Sequence, residues 1–296
     1  MKRKTAFIVT GIMLVLVSVY SIKSIKPLKF LPNKVNIESA NPSKAPTSIP
    51  TSTVIPTPSL TPTPKPLTFS QTNAMYGPCV KLPVLMYHHV QSKENANLAN
   101  QTALTVYTDV FTSQVQYLKS KGYVAIGPEA LISFFDAGAP LAPKSVLITF
   151  DDAYEDFFTN AYPILSSNGF KATVFTPTGL VNNPNYLTWD QIGQMSGAGI
   201  FFANHTWSHK NVAVDTSVMQ REISTADGQL AAHGLVIPKV FAYPYGLVTK
   251  PAETYLQSLG YQIAFSTQPG NVQCKAKRLE LPRVRIGNSS MTLYGF

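Results

Sequence analysis

The chain has 296 residues, 45% of them hydrophobic, which is enough to bury one large core with appendages. Its formal net charge of +9 looks like a nucleic-acid signal until it is divided: residues 1–66 hold nine Lys or Arg against one acid, leaving 15 bases and 14 acids for 67–296. The folded part is close to neutral, which excludes nucleic acid as a partner.

At the start, Lys2, Arg3 and Lys4 precede 17 uncharged residues from Ala6 to Ile22. That is near the lower limit for a bilayer span and sets the N-terminus in the cytoplasm. No small-x-small cleavage site follows and Lys23 comes at once, so residues 1–30 read as a cytoplasmic tip and an uncleaved transmembrane signal anchor. A buried core helix is the alternative. Residues 31–76 read as a disordered linker; from Asn41 to Pro66 the chain is mostly Pro, Thr and Ser, too poor in apolar surface to fold and too rich in proline for a helix. Residues 77–296 then form one domain held off the membrane, expected on the extracellular side, or secreted if the first segment is removed. Cys79 and Cys274 lie near its two ends. Their spacing fits no zinc or redox motif, and a disulfide and two free thiols both remain open.

Within 77–296, strand-like and helix-like stretches alternate. Pro83 to Tyr87 reads as a strand ending at His88 and His89. Phe111, Val115 and Leu118 at helical spacing give a helix over Thr108 to Lys121. Val124 to Ile126 is a strand, Pro128 to Phe135 a helix, and Val146 to Phe150 a strand, followed by a helix to about Ser167. Further strands are expected at 172–177, 200–204, 240–243, 262–266 and 281–286, with helices at 189–195, 218–232 and 251–259, and another helix after the last strand. Repeated strand-then-helix units predict an α/β fold, a distorted (β/α) barrel with its site at the carboxyl ends of the strands.

The segment Val146 to Asp156, VLITFDDAYED, organises the rest. An apolar run suits a strand covered on both faces, and it ends in Asp151 and Asp152, where such sheets collect their chemistry. Ile200 to Asn204 ends likewise in His205 and His209, which are four apart and able to reach one ion. One carboxylate added to the two imidazoles makes a donor set with open positions, the pattern of a catalytic metal, and leaves the second carboxylate free as a base. Taken singly, an Asp-Asp pair also serves as a helix cap with a solvated charge, and spaced histidines occur by chance. Four of the chain's five histidines, however, lie at predicted strand ends.

TFDD at Thr149–Asp152, NHTWSH at Asn204–His209 and YPYG at Tyr243–Gly246, in that order at strand ends, resemble the polysaccharide deacetylases of carbohydrate esterase family 4, the NodB-homology domain. The resemblance covers roughly residues 80–290. PVLMYHHV and LPRVRI are most similar to the branch acting on poly-N-acetylglucosamine. The resemblance implies that Asp152, His205 and His209 hold a divalent metal, usually zinc, and that Asp151 is the general base toward the attacking water. It gives the Tyr245 backbone N–H as oxyanion donor. The general acid of many members is a late histidine, absent here; His88 fits that role in a rearranged barrel, or else is merely packed or solvated. An arginine that orients the base in many members is replaced at the matching position by Ala242. Arg283 or Arg285 could supply that guanidinium, or be structural. Trp189 and Asp190 in LTWDQ resemble a groove-lining segment, and with Tyr243 and Arg283 they make up the expected substrate contacts; a buried core tryptophan is the alternative. His233 reads as structural.

The expected activity is metal-dependent removal of N-acetyl groups from an envelope or matrix glycan, by a monomer tethered to the membrane. A peptidoglycan or chitooligosaccharide deacetylase, an O-acetyl xylan esterase, and a wall-binding domain that has lost catalysis are the alternatives.

Overall fold

The computed structural model describes residues 66–235 and 237–296. The expected anchor and the linker up to residue 65 lie outside them. Among the described residues, no helix is long and apolar enough to cross a membrane.

Helix α1 (Phe69–Tyr76) stands where the sequence reads as linker. Thr68 and Gln71 form a reciprocal capping box, and Asn73 Oδ1 accepts from the Cys79 N–H at 2.7 Å. Helix α1 therefore falls inside the span 31–76 that the sequence reads as linker. The chain continues through β1 (Cys79–Lys81), β2 (Val84–Tyr87), β3 (His89–Gln91), α2 (Lys93–Leu98), β4 (Thr105–Tyr107), α3 (Thr108–Ser120), β5 (Val124–Ala125) and α4 (Pro128–Ala137). Then come β6 (Ser145–Phe150), a π-helical turn at Phe157–Ala161, α5 (Tyr162–Asn168), β7 (Ala172–Thr176), α6 (Trp189–Ser196), β8 (Ile200–Asn204) and α7 (Thr216–Ala232). The last elements are β9 (Val240–Ala242), α8 (Lys250–Ser258), β10 (Ile263–Pro269), β11 (Val272–Cys274) and β12 (Leu281–Arg285). The further helix expected after β12 is only a 3-10 turn, Met291–Tyr294.

Seven parallel strands close a barrel in the order β2-β12-β10-β9-β8-β7-β6 and back to β2, with β5 added beside the start of β6. The first barrel strand thus lies between the last and β6. This brings the residues after Tyr87 beside those after Phe150.

Alternation along each strand decides what faces the barrel interior. In β6, Val146, Ile148 and Phe150 pack outward with apolar residues of α3, α5 and α6, while Leu147 packs inward. Val84, Phe175, Ala203, Val240, Ala242, Phe265 and Leu281 share the inner cluster with Leu131, Ile132 and Phe135 of α4. The interior is therefore a packed core rather than a pore. Truncating a buried ring such as Phe150 to Ala costs about 3–5 kcal/mol. The same parity carries Thr149 and then Asp151 inward from Leu147, His205 from Ala203, His88 from Val84, and Arg283 from Leu281.

Outside the barrel, β1 pairs antiparallel with β11, with Cys79 opposite Cys274. The two are joined by a disulfide spanning 195 residues, which settles the question the sequence leaves open. Such a closure stabilises a domain by about 2–4 kcal/mol.

Candidate active site

Three loops at the carboxyl ends of β6, β8 and β9 build the site. Among the described residues, six that are neither Gly nor Asn take a left-handed φ, and five of them are here: Asp152 (75°), Ala153 (54°), Thr206 (65°), His209 (59°) and Tyr245 (60°). Each costs about 1–3 kcal/mol, a strain that persists where the surroundings over-determine the backbone. Gly246 follows Tyr245 at φ 74°, where a Cβ would collide with the Thr267 side chain.

Asp152, His205 and His209 each bring one donor atom within 4.8 Å of the other two. Asp152 Oδ1 lies 3.0 Å from His209 Nε2 and 3.4 Å from His205 Nε2. Those distances would suit ion pairs, yet Oδ1 is buried with no aligned hydrogen bond. Three donor atoms this close, with the carboxylate oxygen unbonded to either imidazole, fit a shared cation. His205 Nδ1 lies 2.8 Å from the Ala242 carbonyl; the carbonyl can only accept, so Nδ1 carries the proton and Nε2 presents a lone pair. The position where the expected arginine is missing thus contributes its backbone oxygen. Burial works against the charged form of Asp152, but the two imidazoles outweigh it and hold the carboxyl well below its usual range. The donor set of one carboxylate and two imidazoles fits zinc or a similar divalent ion.

Asp151 has a different partner. Arg283, fully buried on β12, donates from Nη1 and Nη2 to its two oxygens at 2.7 and 2.8 Å. The fork is fixed in turn by Nε donating to the Ser266 carbonyl at 2.9 Å and by the Phe175 ring, 5.5 Å away. Burial raises the Asp151 pKa, but the guanidinium's charge and hydrogen bonds prevail, and the net shift is downward. Arg283 is therefore the orienting arginine of Asp151 and not a substrate contact. His88 Nε2 lies 4.0 Å from Asp151 Oδ2. Burial lowers the His88 pKa, against the opposing pull of Asp151.

The Tyr245 ring sits 4.9 Å from that of His209 and is 65% exposed, at the rim of the site. Two expected substrate contacts are placed elsewhere. Tyr243 is fully buried, turned outward like Phe241, and its hydroxyl donates to the Leu279 carbonyl at 2.8 Å. Counting alternation from Ala242 would have shown this. The Trp189 ring is half-buried against the outer core, with one face stacked on His233 at 3.8 Å. Asp190 is exposed in the first turn of α6, where a carboxylate complements the helix N-terminus.

Two residues escaped the sequence reading. Glu222, buried on α7, accepts from the Ser208 N–H at 2.7 Å and its hydroxyl at 2.8 Å, which ties down the loop between the histidines. A lone acid on the face formed by Met219, Ile223 and Ala226 was the available signal. Tyr154 stands beside Asp152; burial, with that charge adjacent, raises its phenol pKa, so it stays protonated.

With this geometry in place, the likenesses to known proteins become specific. A family profile described as "Polysaccharide deacetylase" matches residues 138–264, leaving His88 and Arg283 outside its span. The Streptococcus pyogenes deacetylase PplD, solved in complex with acetate, superposes with a TM-score of 0.68 at 31% identity, covering 73% of this chain and 97% of that one. IcaB from Ammonifex degensii shares the fold at a TM-score of 0.63 and 21% identity, over 70% of this chain and 91% of its own. The poly-beta-1,6-N-acetyl-D-glucosamine N-deacetylase of Staphylococcus epidermidis is 26% identical over 229 residues, 70% of this chain and 79% of that protein. An identity of 31% sustained along nearly the whole of a solved deacetylase, together with a profile spanning both aspartates and both histidines, shows that the chain belongs to the polysaccharide deacetylase family.

Proposed function

We propose that this deacetylase removes N-acetyl groups from N-acetylglucosamine units of an envelope or matrix polysaccharide, with poly-N-acetylglucosamine as the favoured substrate. The observation that carries the reading is the pairing of a guanidinium-locked carboxylate, Asp151, with the Asp152, His205 and His209 donor set beside it. The S. epidermidis relative, named for that polymer, supports the choice of glycan.

Asp152, His205 and His209 would hold a zinc ion, which would supply Lewis-acid polarisation of the acetamide carbonyl and a lowered pKa for water. Asp151, kept ionised and oriented by Arg283, takes the proton from the attacking water. The Tyr245 N–H, offered from the Pro244–Gly246 turn, stabilises the oxyanion. His88, 4.0 Å from Asp151, gives a proton to the leaving nitrogen. Water is thereby added across the amide C–N bond, and acetate and a free amine are the products. Tethering through residues 1–30, action outside the cytoplasm and a monomeric state belong to the same proposal; the disulfide supports an oxidising compartment.

The test is acetate release by the full-length protein, stripped of metal and resupplied with zinc, on poly-N-acetylglucosamine beside peptidoglycan and acetylated xylan. Zinc-dependent release from the first alone is expected. Release from another glycan instead would replace the substrate, and none from any, with zinc bound, would favour a wall-binding domain.

A further inference from the structure

We propose that the cavity on the far side of Tyr154 from the metal ligands is a subsite for an amino-sugar unit carrying a free ammonium group, an already deacetylated residue of the same chain. The inference rests on the polysaccharide reading above. His88 and His89 are neighbours facing opposite ways. His88 faces Asp151, while His89 is 3% exposed, places Nδ1 2.7 Å from Asp156 Oδ2 and stacks on Tyr154 at 3.7 Å. His89, Glu155 and Asp156 line a cavity of about 600 Å³, within the range of small-ligand sites.

The chemistry of the wall selects a cation. Its residues include two carboxylates and five carboxamides, with no Lys or Arg. Among the described residues Glu155 makes no ion pair. If His89 is neutral the wall carries two negative charges, and if protonated it still carries one. His89 Nε2 and Asp156 Oδ1 are both buried without a partner. Neither atom is open to the cavity as it stands, so the half-buried Glu155 carboxylate is the group that meets a cation there. The carboxamides suit sugar hydroxyls. A metal ion does not fit, since among the described residues the Asp152 cluster is the one grouping of three donors close enough to share an ion.

Position ties the cavity to the reaction. Glu155 and Asp156 follow Asp152 by three and four residues on one loop, and the Glu155 N–H is fixed at 2.9 Å by the carbonyl of Asn185, another lining residue. A glycan lying across the barrel mouth with its acetamide at Asp152 extends a neighbouring unit toward this wall. The enzyme then favours acetyl groups next to units already stripped.

The experiment titrates the full-length protein calorimetrically with a β-1,6-linked glucosamine oligosaccharide and with the β-1,6-linked glucose oligosaccharide of equal length. These differ only at the ammonium-bearing position. The wild type is expected to bind the glucosamine oligomer about tenfold more tightly, a difference of about 1.4 kcal/mol, and Glu155→Gln to lose most of that preference. Equal affinity for the two oligomers in the wild type, or an undiminished preference in a folded Glu155→Gln, overturns the subsite. Acetate release from fully acetylated polymer, run alongside, separates the two readings. Preference without release counts against the deacetylation of this glycan, and release without preference counts against the subsite alone.

Discussion

Asp151 and Asp152 are adjacent in the chain, equally buried, and in opposite company. Both oxygens of Asp151 are taken by one guanidinium, so its charge is locked and its direction fixed. Asp152 Oδ1 faces two imidazole nitrogens and has no aligned hydrogen bond. On the proposed function, their surroundings alone divide two identical groups between proton transfer and ion binding. Strand parity starts the division: Asp151 continues the inward row of Leu147 and Thr149, and the left-handed turn at Asp152 and Ala153 then swings the next carboxylate toward the β8 loop.

If that division is right, the largest effect of disturbing the Asp151 side is on turnover. His88→Asn is expected to lower kcat about 10²- to 10⁴-fold while zinc affinity is retained, read by steady-state acetate release and metal titration. Loss of zinc in that variant would break the comparison, since it would place His88 with the ligands.

Next in size is Arg283→Met, which leaves Asp151 buried without its counter-charge and costs about 3–5 kcal/mol near neutral pH. The sign with pH is specific. In the wild type the folded Asp151 pKa is lowered, so its contribution to stability is present above the unfolded value near 3.9 and is lost as pH falls through the folded pKa. In the variant burial is opposed only by the nearby His205 and His88, and the pKa moves up. The deficit should therefore shrink in acid, and the acid limb of activity should move to higher pH. Denaturant titrations across pH, beside a pH–rate profile, check both.

The smallest effect marks the edge of the site. Tyr243→Phe forfeits the hydrogen bond to the Leu279 carbonyl, about 1 kcal/mol of stability, with KM unchanged. A raised KM would return Tyr243 to the substrate groove.

How much of this was legible depended on the length of the signal. The apolar run into Asp151 and Asp152 and the paired histidines were readable because strand, chemistry and spacing coincide within a few residues. Arg283 was visible beside Arg285 as a candidate for the guanidinium that orients Asp151, but the choice between them depends on barrel closure placing β12 beside β2 and β2 beside β6. The pairing of His89 with Asp156 and the Cys79–Cys274 bridge rest on three-residue strands, too short to show a period. The stacking of Trp189 on His233 was not legible because the two are 44 residues apart in sequence, and stacking leaves no local pattern.

The most direct test of the division between the two aspartates is a paired measurement of zinc affinity and acetate release in Asp151→Asn and Asp152→Asn. Asp151→Asn is expected to bind zinc nearly as the wild type does and to lose turnover by about 10²- to 10⁴-fold, whereas Asp152→Asn loses zinc and turnover together. Intact zinc binding in Asp152→Asn, or substantial turnover in Asp151→Asn, would contradict the account.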